Sequence, residues 1–169
     1  MAVSYTILAA VGTDPHAFDR FVQWVDSAVA ELTTHRCLLQ AGFSGAPAPH
    51  CARVPFLRWE DFHAQLHSCD YVVCHGGTGT LSAALQCGRR PIVVPRLARF
   101  SEHVNDHQLD VVRALAARGW VHHAADWTDL LVHLRQPSES FIEVGAGPTN
   151  LRMLNCVRRF LRLVGVSPD

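Results

Sequence analysis

Short apolar runs alternate along the chain with longer segments in which apolar residues recur every three or four positions. Residues 3–11 form a nearly continuous apolar run, the pattern of a strand covered on both faces. Asp14-Pro15 then predicts a helix start, with Asp as the cap and Pro in the first turn. Phe18, Phe21, Val22, Val25, Ala28, Val29 and Leu32 supply the apolar stripe of that helix. Further strands are predicted at 37–41, 53–56, 70–75, 91–94 and 120–123, and further helices at 60–67, 81–87, 105–118, 127–134 and 149–164. Residues 42–50, 95–104 and 136–148 read as loops, the first rich in Gly, Pro and Ala. Six strands alternating with helices predict one α/β domain over residues 1–169, a doubly wound, Rossmann-like parallel sheet. Right-handed crossovers favour the strand order 3-2-1-4-5-6.

Composition narrows the chemistry. Acids and bases cancel at 15 each, so net charge gives no reason to expect nucleic acid as a partner. All fifteen bases are arginine, which excludes lysine Schiff bases and the lysine of a phosphate-binding P-loop. Six cysteines form no CxxC pair and fall largely within apolar runs, which favours a reducing compartment over a disulfide framework. The first residues lack the basic start of a signal peptide, and no apolar run approaches the about 18 residues of a membrane span, so a cytoplasmic location is expected.

In the expected strand order, strands one and four are neighbours at the point where the chain reverses its winding, where such sheets bind ligands. Strand one ends in Gly12-Thr13-Asp14 and strand four in His75-Gly76-Gly77-Thr78-Gly79-Thr80. Both turns are expected to lead directly into helices, so that two sets of free amides and two positive helix ends meet in one crevice, suited to a phosphate group. Three glycines in four residues allow close backbone approach, and Thr78 and Thr80 add hydroxyl donors. Neither GxGxxG after strand one nor GxxxxGK[ST] is present, which disfavours a dinucleotide and a Walker-type site.

The stretch HGGTGTLSAALQCGRRPIVVPRLARFSEHVNDHQ (75–108), with VGTDPHAFDR (11–20) more weakly, resembles the donor-binding half of the GT-B glycosyltransferases of family 28. Within that family it is similar to exopolysaccharide glycosyltransferase subunits and to the soluble catalytic subunit of the dolichol-linked UDP-N-acetylglucosamine transferase. The resemblance implies a UDP-sugar donor, with Phe56 and Leu57 at the base, Gly76 to Thr80 at the diphosphate, and His107 and Gln108 at the sugar hydroxyls. Glu102 and Asp106 share the last loop and could share that role. The family's ribose-binding Glu falls at Ala83, a departure that bears on donor affinity. A full enzyme of this family has two such domains, so the resemblance also implies a membrane-anchored, acceptor-binding partner subunit and a lipid-linked glycan acceptor. Peripheral attachment to the inner membrane face through that partner follows.

Displacement at the anomeric carbon would place charge on the β-phosphate. The glycine turn could stabilise it without a metal, assisted by Arg96 or Arg99. His16, Asp14 and Glu102 are the candidate bases, with a partner residue as an alternative. The C-terminal segment carries apolar residues on one helical face and arginines on the others, a candidate docking element. His63/His67 and His103/His107 have helical i, i+4 spacing, but HExxH is absent and no cysteine sits at ligand spacing beside either pair, so no metal cofactor is expected. GxSxG is absent too, which disfavours a serine hydrolase. A non-catalytic, nucleotide-sugar-binding regulatory subunit is the alternative reading.

Overall fold

The computed structural model describes residues 5–138. The helix expected at 149–164, with its suggested docking role, lies outside the described residues, as does most of the loop expected at 136–148. The elements in chain order are β1 (Tyr5–Ala10), α1 (Asp19–Glu31), β2 (His35–Gln40), β3 (Ala52–Val54), α2 (Trp59–Ser68) and β4 (Tyr71–Cys74). They continue with α3 (Thr78–Gln86), β5 (Ile92–Val93), a short 3-10 turn (Ala98–Phe100), α4 (His107–Ala117), β6 (His122–His123) and α5 (Trp127–Arg135). All strand pairs are parallel, and the six-stranded sheet has the order β3-β2-β1-β4-β5-β6. This is the doubly wound Rossmann-like sheet that the alternation predicts.

Side-chain alternation along the central strands divides the core. Ile7 and Ala9 of β1, with Leu39 and Val73, pack under α1 and α5. Leu8 and Ala10 point to the other face, against Phe62 and Leu66 of α2 and Ala83 and Ala84 of α3. Cys74 and Val93 continue that second layer beneath Leu81 of α3 and Val112 and Leu115 of α4. β1 and β4 are therefore buried on both faces, which explains their unbroken apolar character. Gly88 (φ 69°) follows α3 and Gly119 (φ 69°) follows α4, the left-handed positions at which glycine ends a helix.

One boundary differs in a way that matters for the site. The helix expected from Asp14-Pro15 begins at Asp19. The Asp14 carboxylate instead accepts the His16 amide at 2.8 Å, an Asx-type turn that competes with helix initiation. The Phe18 amide is held by Ser44 Oγ at 2.9 Å, while its ring is fully buried in the core. Asp19 Oδ1 accepts the amides of Gly45 and Ala46, so the acid in the first turn of α1 anchors a neighbouring loop. Only the second glycine turn therefore runs directly into a helix.

Candidate functional site

The carboxyl ends of β1 and β4 open into a cavity of about 690 Å³, lined by both glycine turns, by Gln40 at the end of β2 and by residues that follow β3 and β5. His75, at the end of β4, forms part of its floor. Gly12 has φ 80°, and a Cβ there would fall 2.3 Å from the His75 ring. A Cβ on Gly77 would fall 2.0 Å from His75 Nε2. Both turns thus close on the same imidazole, and both glycines are required by that contact. Burial, reinforced by the Arg96 charge, pushes the His75 pKa down to about 4, and its Nδ1 has no hydrogen-bond partner.

α3 begins at this cavity without a side-chain cap, with Gly77 at its N-cap. Its first intrahelical bond runs from the Leu81 amide to the Gly77 carbonyl at 3.1 Å, so the preceding first-turn amides carry no bond of that kind. Thr78, Gly79 and Thr80 all line the cavity. The Gly76 amide is different: it donates to Gln108 Oε1 at 3.0 Å and is committed within the protein. Gln108 Oε1 also accepts the Arg96 amide at 3.1 Å. Gln108 therefore borders the cavity while bracing the glycine turn from behind.

Asp14 and His103 line the cavity and the exposed His16 does not; Asp14 Oδ1 stands 2.7 Å from His16 Nδ1, and Asp14 Oδ2 stands 3.9 Å from His103 Nε2. Burial raises the Asp14 pKa, but its bonds to the His16 amide and ring, with the Arg96 charge, outweigh that and hold the carboxylate below its usual value. The carboxylate favours a proton on His16 Nδ1 and leaves Nε2 as the basic nitrogen. Asp14 is the one carboxylate among the described residues lining the cavity.

The remaining wall is apolar and was only partly visible in the sequence. Leu57 lines the cavity, but its amide donates to Gln40 Oε1 at 3.1 Å, so base pairing through that amide would have to break this bond. Gln40 Nε2 in turn donates to the Gly12 carbonyl at 3.3 Å, linking the first turn to this wall. Phe56 does not line the cavity; its ring packs edge-on against Phe43 at 5.3 Å between centroids. The aromatic surface facing the cavity comes from Trp59 and Phe62, stacked at 6.1 Å in the first turn of α2.

Four further expectations change with the structure. Arg96 is fully buried: its guanidinium donates to the carbonyls of Val11, His16 and Glu102 and lies 4.6 Å above the Phe18 ring. It pins the end of β1 to two loops and does not line the cavity. Glu102 is spent on Arg20 (2.7 and 2.9 Å) and on the Leu97 amide, which leaves it unsuited as a base or a sugar contact. Asp106 turns back to accept the Ala98 amide at 2.8 Å. Ala83, where the family's ribose-binding Glu is absent, is buried beside Phe62 and Leu66. His107 does line the cavity, together with His103 and Asn105. α4 begins at His107, which leaves His103 outside the helix and removes the proposed pairing of those two histidines on one helical face. The exposed Arg99 lies over its neighbour Phe100.

Gln40, Trp59, Phe62, Asn105 and Val111 are cavity residues that reading the sequence did not single out, and His103 stood out there only for its spacing from His107.

Residues 6–136 match the glycosyltransferase family 28 C-terminal domain. Over 107 residues the chain is 38% identical to the elloramycin glycosyltransferase ElmGT of Streptomyces olivaceus, covering 60% of this chain and 25% of that protein. It superposes on the glycosyltransferase SnogD from Streptomyces nogalater with a TM-score of 0.59 at 21% identity, over 98% of this chain and 45% of that one. MurG of Acinetobacter baumannii gives 0.59 at 16% identity, over 92% of this chain and 50% of that one. The chain thus spans a quarter of the curated relative and half or less of these two solved chains, with which it shares a fold. It belongs to the glycosyltransferase family 28 C-terminal domain family.

Proposed function

We propose that this chain holds a UDP-sugar donor and, with a membrane-anchored subunit that binds the acceptor, transfers a hexose-type sugar to a lipid-linked glycan in exopolysaccharide or cell-surface glycan synthesis. One observation carries the donor reading: the uncapped start of α3 faces the same cavity as the Gly12 turn. The amides of Thr78, Gly79 and Thr80 and the positive helix end suit a diphosphate. Trp59 and Phe62 suit the flat face of the base, taking the part expected of Phe56. His107, which lines the same cavity, suits a sugar hydroxyl.

In this reading the acceptor hydroxyl attacks the anomeric carbon, the glycosidic bond to the β-phosphate oxygen breaks, and UDP leaves with the bonding pair. The growing negative charge falls on the amides of the α3 start, each such donor being worth roughly 3 kcal/mol in the transition state. The Asp14–His16 pair takes the acceptor proton at Nε2, with Asp14 holding the ring. The chain would work at the inner membrane face through its partner; among the described residues no helix is long and apolar enough to cross a membrane.

The relative named for elloramycin favours a second reading for the acceptor: a small molecule of that kind in place of a lipid-linked glycan. Calorimetric titration with UDP and a panel of UDP-sugars, with and without the candidate partner, tests the donor assignment. Saturable binding of UDP to the chain alone is expected, and its absence at millimolar nucleotide would sink the reading. Transfer assays on the reconstituted pair, offering a lipid-linked glycan or a small aglycone, then separate the two acceptors. They also separate an enzyme from a subunit that binds without turnover.

A further inference from the structure

α2 and α3 lie side by side on one face of the sheet, and their far ends bring together three groups that the sequence keeps apart. His63 and His67 sit one turn apart on α2, so their rings share a face. Cys87, twenty residues on from His67, is the C-cap of α3. The ligand atoms of all three lie within 4.8 Å of one another, and Cys87 Sγ is 3.7 Å from His67 Nε2. A tetrahedral zinc ion, with Zn–S of about 2.3 Å and Zn–N of about 2.0 Å, sets sulfur and nitrogen about 3.5 Å apart. The three groups already stand close to that spacing.

We propose that His63, His67 and Cys87 form a zinc site that clips the end of α2 to the end of α3, with water in the fourth position. Two imidazoles and a thiolate are the donor set of a borderline-soft cation and exclude calcium and magnesium as preferred occupants. The surroundings hold the ligands in place. The His63 ring meets Trp59 edge-on at 4.4 Å between centroids. The Arg89 guanidinium donates to the Leu66 carbonyl at 3.0 Å and the His67 carbonyl at 2.7 Å, fixing the last turn of α2 beside Cys87. Burial raises the pKa of the Cys87 thiol, and the Arg89 charge works against that rise. On metal binding the thiol proton leaves to solvent as the Zn–S bond forms.

The site stands apart from the glycine turn. Cys87 lies nine residues on from Thr78, about 13 Å along the helix. The metal would therefore brace the two helices whose opening turns supply Trp59, Phe62 and Thr78 to the cavity, without touching a ligand there. This assignment is independent of which donor or acceptor the chain uses.

Titrating the metal-stripped full chain with Co²⁺ and then Zn²⁺ tests it. One equivalent of Co²⁺ should produce a thiolate-to-cobalt charge-transfer band in the near ultraviolet, and zinc should bleach it. Cys87→Ser should lose the band, and His63→Ala and His67→Ala should each weaken cobalt affinity by about tenfold or more. Zinc should raise the melting temperature of the wild type and not of the His63→Ala/His67→Ala double variant, whose substitutions lie at partly or fully exposed positions and spare the fold. No band in the wild type overturns the proposal. So does a band that survives Cys87→Ser, which would assign it to another of the six cysteines. Cobalt binding unchanged in both histidine variants overturns it as well.

Discussion

Gly79 faces the cavity, yet no contact inside the protein requires it to be glycine. A Cβ there would meet nothing within 4 Å, and its backbone is not in the left-handed region. In a helical first turn glycine is less stable than alanine by roughly 0.5–1 kcal/mol, so the open space in front of it is the remaining reason for its size. Gly79→Ala should leave the urea midpoint unchanged or raise it, while calorimetry shows UDP affinity falling about tenfold, or about 1.4 kcal/mol. Equal affinities would remove this residue from the donor site. Gly12→Ala and Gly77→Ala cannot make the same distinction, because each drives a methyl group into His75. A similar contrast separates His107 from Gln108. The exposed His107 ring lines the cavity, so His107→Ala should weaken binding of a UDP-hexose several-fold and leave UDP itself unaffected, read by paired titrations. Equal losses for both ligands would place His107 away from the sugar.

At the scale of elements, the cavity is held open by long-range polar bonds between loops and helix ends. Gln108 in the first turn of α4 satisfies the amides of both Gly76 and Arg96, joining α4 to the glycine turn and to the loop after β5. Gln108→Leu keeps the volume and orphans two buried donors. It should cost about 2–4 kcal/mol in urea unfolding, far more than an exposed polar residue of the same helix. A loss below about 0.5 kcal/mol would show that these amides find other partners. These bonds are also what the sequence concealed. The order of elements and of strands was legible, because β1 and β4 are apolar on both faces and Gly88 and Gly119 end their helices. The glycine turn of β4 was legible as a strand-to-helix turn, because its glycines and the helix that follows are adjacent in the chain. The partners of Arg20, Gln40, Arg96 and Glu102 were not. Arg20 meets Glu102 across 82 positions and Arg96 meets Val11 across 85, and no periodicity encodes such pairings. The start of α1 was misread because Asp14 has two local options, and the turn to His16 won over the helix cap.

The whole molecule is neutral by formal charge at pH 7 with its eleven histidines uncharged, and buried groups that take up protons more readily when unfolded add to its response to acid. Burial lowers the pKa of His35, His123 and His133, and most of all that of His75, which falls from 6.5 to about 4. Each takes up its proton more readily in the unfolded chain than in the fold. Their contribution is therefore fully present above pH 6.5, where both states leave the rings neutral, and is lost as pH falls from 6.5 towards the folded values. For His75 the window runs from 6.5 to about 4, and a shift of that size corresponds to about 3 kcal/mol. Asp14 acts in the same direction but lower, since its folded value lies below the ordinary carboxylate value of 3.8. Denaturant unfolding at about pH 7.5 and about pH 4.5 should show the wild type losing about 2–3 kcal/mol more than His75→Asn over that interval. Parallel losses in the two proteins would mean that His75 protonates without opening the fold. The same chemistry bears on the site: at neutral pH the imidazole between the two turns is uncharged, so a bound diphosphate would meet backbone amides and a helix end rather than a cation.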